Sequence, residues 1–183
     1  LLTINGNNTF IRVLFIADNA RATVNKLRIT GGNLLGGGSG VRNHGITVFN
    51  NVTVSENIGQ SGTGGISNIR EMTINDSIIS NNTAANDSIG AGGIENSGMM
   101  VINNSTISNN TGRFVAGAVD NPFGTLTINN STISGNTSNG GGGALSGASG
   151  AVTINNSTLS SITRINWLNP FLACGATNRR HLR

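Results

Sequence analysis

The stretch Leu126-Thr127-Ile128-Asn129-Asn130-Ser131-Thr132-Ile133-Ser134-Gly135-Asn136-Thr137 decides how this chain folds. Leu126 and Ile128 alternate with Thr127, and Ile133 stands between Thr132 and Ser134. Alternation with a period of two marks a strand with one buried face. The Asn pair between the two runs suits a tight turn, because Asn tolerates positive φ. Two short strands joined by a sharp turn are expected here.

The same pattern returns along the chain. The apolar residue ahead of the Asn-rich turn is Val48, Ile74, Ile102, Ile128 and Ile154, at spacings of 26, 28, 26 and 26. Two residues before these stand Ile46, Met72, Met100, Leu126 and Val152. The inward residue of the following strand is Val54, Ile79, Ile107, Ile133 and Leu159. A third short strand carries Val41, Ile66, Ile94, Val119 and Leu145. A small pair precedes it in four repeats: Gly64-Gly65, Gly92-Gly93, Gly117-Ala118 and Gly143-Ala144. In the first repeat the run Gly36–Gly40 takes that place. Each repeat reads as three short strands and three turns. No stretch carries a 3.6-residue period long enough for a helix. The repeat lacks the Leu consensus of a leucine-rich repeat and is too short for a propeller blade. The fold class expected is all-β, a right-handed parallel β-helix with three short strands per coil of about 26 residues.

Composition agrees. The 183 residues include 27 Gly and 30 Asn but only 10% charged side chains. Frequent Ile, Val and Thr favour strands, and Asn and Gly favour turns. Residues 1–163 carry seven basic and seven acidic side chains, so Arg164, Arg179, Arg180 and Arg183 hold the whole excess charge. Four Arg in a tail do not make a basic face, so no nucleic-acid partner is expected. The single Cys174 excludes a disulfide framework and a cysteine metal site. No apolar run of 18 residues suggests a membrane helix.

The regular array spans 41–160, preceded by a degenerate first coil over 1–40, and 1–160 is read as one domain. Within that first coil, Leu27-Arg28-Ile29-Thr30 precedes Val54-Ser55 by one repeat, and Leu14 and Ile16 are assigned to the strand before it. Residues 161–183 break the pattern. Trp167 and Phe171 suit a cap over the open end, and out-of-frame translation is the alternative. No signal peptide is visible, and the chain reads as part of a longer protein.

The blocks Gly92-Gly93-Ile94-Glu95-Asn96 and Leu126–Thr137 resemble the repeats of bacterial right-handed β-helix surface proteins, of the polymorphic outer-membrane type and of the type with pectate-lyase-like helices. The resemblance covers about residues 41–160. It implies an extracellular or cell-surface location, an adhesin-like or passenger role, and glycans or surface proteins as partners. It implies no particular ligand and no cofactor.

Two Asn columns are expected to stack as structural ladders: Asn43, Asn68, Asn96 and Asn121, and Asn57, Asn82, Asn110 and Asn136. The candidate for catalysis is Glu95 with Asp120, one residue after the third-strand apolar position in adjacent coils, with Arg42 in the same column. Stacking places the two carboxylates at a separation suited to glycoside hydrolysis. The alternative is a pair of solvated charges on an outer face. Thr53, Thr106, Thr132 and Thr158 with Ser55, Ser108, Ser134 and Ser160 form outward ranks that resemble an ice-binding face, interrupted at Ile78. His44 belongs in a turn, and neither it nor His181 has a metal-spaced partner. The functional expectation is a non-catalytic extracellular β-helix presenting a polar surface. A carbohydrate-active enzyme is the alternative, and an ice-binding face the third reading.

Overall fold

A computed structural model describes residues 1–164 except 87, 88, 148, 161 and 162. The proposed cap residues Trp167 and Phe171, with Cys174, His181 and the last three Arg, lie outside the described residues. The chain is all-β among the described residues, wound as a parallel β-solenoid. Taken in chain order within a coil, four strands alternate, and each stacks on its counterpart one coil away.

Sheet I contains Leu14–Ile16, Val41–Asn43, Ile66–Asn68, Ile94–Asn96, Val119–Asp120 and Leu145–Ser146. Sheet II contains Arg21–Asn25, Ile46–Asn50, Glu71–Asn75, Met99–Asn103, Thr125–Asn129 and Ala151–Asn155. Sheet III begins with Leu2–Asn5 and Leu27–Thr30 and continues through Thr53–Ser55, Ile78–Ser80, Thr106–Ser108, Thr132–Ser134 and Thr158–Ser160. Sheet IV is built from two-residue strands: Asn33–Leu34, Ile58–Gly59, Thr83–Ala84, Thr111–Gly112, Thr137–Ser138 and Thr163–Arg164.

Sheets I, II and III are the three strands expected from the periodicity. Sheet IV is additional and lies where the sequence suggests only a turn. Two residues cannot display alternation, so its strands leave no periodic signal. Its presence explains the small pairs. A Cβ at Gly92 would lie 2.6 Å from the backbone of Thr111 in sheet IV, and one at Gly64 would lie 2.5 Å from the Thr83 carbonyl oxygen. The first member of each pair is Gly in all four repeats, while the second, where a Cβ at Gly65 or Gly93 would meet a carbonyl of the next coil at 2.3 or 2.5 Å, is Ala118 or Ala144 in the later two.

Each regular coil sends about four apolar side chains inward. In one coil these are Ile94 from sheet I, Met100 and Ile102 from sheet II, and Ile107 from sheet III, each no more than 1% exposed. Full burial of such a side chain contributes about 1.5–3 kcal/mol. The stack of these sets forms one continuous core.

Two details of the first coils differ from expectation. Ile74 pairs with Phe49, so Phe49 and not Val48 is the inward residue, and Thr47 stands opposite Met72. Val48 faces outward beside Thr73. Counting back from the Asn pair itself, Asn50-Asn51, places Phe49 correctly; a slip of one residue reverses every side chain. Thr47 is tolerated inside because its hydroxyl donates to Asn43 Oδ1 at 2.8 Å. Leu27–Thr30 does pair with Thr53–Ser55 as expected. The strand before it, however, is Arg21–Asn25, while Leu14–Ile16 lies one strand earlier, in sheet I.

The turns fall into two kinds. From the start of each sheet II strand to the start of the next sheet III strand the chain always advances seven residues in the regular coils: Ile46 to Thr53, Glu71 to Ile78, Met99 to Thr106, Thr125 to Thr132 and Ala151 to Thr158. From sheet III to sheet IV it always advances five, as from Thr53 to Ile58 or Thr132 to Thr137. All length variation falls beside sheet I. The step from sheet IV to sheet I is eight residues from Ile58 to Ile66 but eleven from Thr83 to Ile94. The step from sheet I to sheet II is five residues from Ile66 to Glu71, six from Val119 to Thr125 and seven from Leu14 to Arg21.

Candidate functional site

Both expected Asn columns form ladders. At the corner between sheets I and II, Asn43 Nδ2 donates to Asn68 Oδ1 at 2.8 Å, Asn68 to Asn96 at 2.7 Å and Asn96 to Asn121 at 2.7 Å. At the corner between sheets III and IV, Asn57 donates to Asn82 at 2.9 Å, Asn82 to Asn110 at 3.0 Å and Asn110 to Asn136 at 3.0 Å. All eight are buried. Their remaining groups meet backbone: Asn110 Oδ1 also accepts from the Asn82 N–H, and Asn110 Nδ2 donates to the Ile79 carbonyl. These amides are structural, each replacing water around the polar backbone of a buried bend.

The turn between sheets II and III carries two features that the columns above did not reveal. One is a serine ladder. The Ser77, Ser105, Ser131 and Ser157 hydroxyls each accept a backbone N–H from the coil before at 3.0 Å and donate to the carbonyl two residues earlier in their own coil. The invariable Ser three residues after the inward Ile was its signal in the sequence. The other is an outer amide ladder. Asn50 Nδ2 donates to Asn25 Oδ1, Asn75 to Asn50, Asn103 to Asn75, Asn129 to Asn103 and Asn155 to Asn129, at 2.8–2.9 Å. Beside it runs a rank held at positive φ: Asn51, Asp76, Asn104, Asn130 and Asn156. Together the two ranks line a groove of about 480 Å³. Each ladder amide spends one N–H and one acceptor position on its neighbours, which leaves one N–H and one acceptor position over.

The outward residues of sheet I form a different surface. Phe15, Arg42, Ser67, Glu95, Asp120 and Ser146 stand in one column, each beside the next on an adjacent strand. Glu95 and Asp120 are thus brought together as neighbours, on strands about 4.8 Å apart. Asp120 is not a solvated charge: only 7% of it is exposed. Burial pushes its carboxyl up, Glu95 pushes it further, and hydrogen bonds from Ser146 and the Asn121 backbone hold it back, leaving a pKa of about 7. Glu95 Oε2 accepts from the Thr63 hydroxyl at 2.6 Å. The pair therefore combines a carboxyl able to stay protonated near neutrality with a carboxylate positioned by a hydroxyl.

The structure puts Phe15 and His44 at the other end of the same face, with Arg12 and Arg42. Phe15 comes from the irregular first coil, where no repeat marks it. His44 sits in the expected turn, with its ring 5.3 Å from that of Phe15. The glycine run connects the two ends: Gly37 and Gly38 carbonyls accept from Arg12, and a Cβ at Gly37 would lie 3.5 Å from Glu95 Oε2.

The outward Thr/Ser positions of sheet III stack in register, with Ile78 between Thr53 and Thr106. Ser55 is buried, because Arg28 lies over it and donates to its hydroxyl while also pairing with Glu56. Among the described residues there is no His, Cys, Asp and Glu cluster suited to a metal ion, and no helix is long and apolar enough to cross a membrane. No protein family, curated protein or solved structure matches this chain.

Proposed function

We propose that this chain is a non-catalytic β-helical segment of an extracellular or cell-surface bacterial protein, adhesin-like or passenger-like, that presents a polar surface to glycans or surface proteins. Right-handed winding belongs to the same proposal. The observation that supports it is the amide groove between sheets II and III. Its lining is neutral apart from Asp76 and offers donors and acceptors repeated at the coil spacing, which suits hydroxyl-rich neutral ligands. Screening the whole chain against a glycan panel tests it. Binding without product release is expected, weakened at least fivefold by Asn104→Ala together with Asn130→Ala. A panel with no binder would overturn it.

A second reading rests on Glu95 and Asp120. Two neighbouring carboxyl side chains, one of them with its pKa raised to about 7, are the arrangement a glycoside hydrolase uses as acid and nucleophile or base. Turnover of any panel glycan, lost in Glu95→Gln with binding retained, would establish this reading in place of the first. Thermal hysteresis of ice growth would instead favour the Thr/Ser ranks of sheet III.

A further inference from the structure

The first two coils of sheet I hold a cluster that neither reading uses. Arg12 and Arg42 flank Phe15, which is 52% exposed. Arg12 lies over that ring, with its guanidinium carbon 6.0 Å from the centroid. Arg42 is the strand neighbour of Phe15. Both guanidiniums are held in place by protein. Arg12 donates through Nε to the Gly38 carbonyl at 3.0 Å and through a terminal nitrogen to the Gly37 carbonyl at 3.1 Å. Arg42 Nε donates to His44 Nε2 at 2.9 Å.

That last bond fixes the chemistry of His44. Because Nε2 accepts, the ring's proton is on Nδ1, which faces Asp18 Oδ1 at 3.5 Å. Asp18 therefore spends its charge on the far side of the imidazole. Among the described residues neither Arg12 nor Arg42 makes an ion pair. Two part-buried guanidiniums thus face one sheet surface without an ion-pair partner among the described residues, with Glu95 two strands from Arg42 in the same column. Arg12 registers the imbalance: burial lowers its pKa, and the positive charge of Arg42 lowers it further. The terminal nitrogens of Arg42 have no protein acceptor among the described residues, so its planar fork stays open for a bidentate partner.

We propose that Arg12, Phe15 and Arg42 form a binding site for a ring-bearing oxyanion, such as a sugar carrying a sulfate ester or a carboxylate. The ring lies on Phe15, and the anionic group takes the open fork of Arg42 with Arg12 supplying the second charge. His44 is a positioning residue that orients Arg42. The site borders the turns of variable length, where the chain departs from strict repetition, and it is independent of the amide groove between sheets II and III.

The test is a titration of the whole ¹⁵N-labelled chain, read at the arginine Nε–H resonances, at constant ionic strength. Glucose 6-sulfate, glucuronate, inorganic sulfate and glucose are the probes. Saturable shifts at Arg12 and Arg42 are expected with glucose 6-sulfate, with glucuronate or with both, and their relative affinities identify the anionic group. The better of these should bind at least fivefold more tightly than inorganic sulfate, and glucose should give no saturable shift. Arg42→Gln should weaken binding at least tenfold, and Phe15→Leu should abolish the advantage over inorganic sulfate. Arg42→Lys keeps the charge and the stem packing but loses the fork, and should weaken binding about threefold even if Arg42→Gln proves unstable. Absence of saturable shifts with both sugar acids, or unchanged affinity in Arg42→Lys and Arg42→Gln, would overturn the site. Equal affinity for inorganic sulfate would overturn the role of Phe15.

Discussion

The inner and outer asparagine ladders use the same side chain at the same coil spacing, yet they do different things. Inner amides at Asn96 or Asn110 are buried and bonded on every side, to the next coil and to the backbone of the bend they fill. Outer amides at Asn75 or Asn103 bond mainly to each other along the turn and keep hydrogen-bonding capacity facing the groove. Their polarity also differs: inner ladders donate toward the later coil and the outer ladder toward the earlier one. Stacking alone therefore does not decide whether a residue is structural. What decides it is whether backbone or solvent lies on its open side.

The largest test of this contrast is an amide placed inside where no ladder receives it. Ile128→Asn removes a fully buried side chain and leaves a polar group without partners. The expected loss is upwards of about 5 kcal/mol, enough to abolish cooperative thermal unfolding of the array. Unchanged unfolding would overturn the coil alignment. Next is removal of an inner rung. Asn110→Ala takes the acceptor from the Asn82 backbone N–H and from one of the two Asn82 side-chain N–H groups, removes a bond to the Ile79 carbonyl, and should cost roughly 3–5 kcal/mol in urea denaturation.

A third test concerns a stack of carboxylates in place of amides. The folded chain holds Asp120 near pKa 7, above its ordinary 3.8, so the folded state binds this proton more tightly than the unfolded state. The resulting stability is fully present below about pH 4 and is lost as pH rises through about 7. The loss should amount to roughly 2–4 kcal/mol, and Asp120→Asn should remove this contribution. Denaturant midpoints across pH 4–8 measure it. The smallest effect belongs to the outer ladder: Asn103→Ala should change stability by less than about 1 kcal/mol. A loss as large as that of Asn110→Ala would erase the distinction between the ladders.

Much of this was legible in the sequence because a repeat multiplies every signal. Three strands, both inner ladders and the Glu95–Asp120 adjacency follow from columns that recur four or five times. What stayed hidden lacked such recurrence. The strands of sheet IV are too short to alternate. The Val48 assignment came from matching a spacing of 26 where the chain uses 25, although the pair Asn50-Asn51 already pointed to Phe49, the residue the core encloses. The burial of Asp120 depends on its surroundings in three dimensions, which column position does not encode. Phe15 and Arg12 occur in a coil with no consensus, so their approach to Arg42 had no column to announce it.

The unequal turns carry one more implication. Turns from sheet II to III and from III to IV keep one length through the regular coils and hold the serine ladder, the outer-amide ladder and the inner ladder of Asn57, Asn82, Asn110 and Asn136, so an added residue there would break bonds to two neighbouring coils. The turns on either side of sheet I already accept one to three extra residues without disturbing the register of any sheet. The molecule is thus divided lengthwise into a conserved-length spine and a permissive flank. New loops, whether arising by evolution or grafted by design, would be accommodated on the flank, and each would project beside the charged face of sheet I.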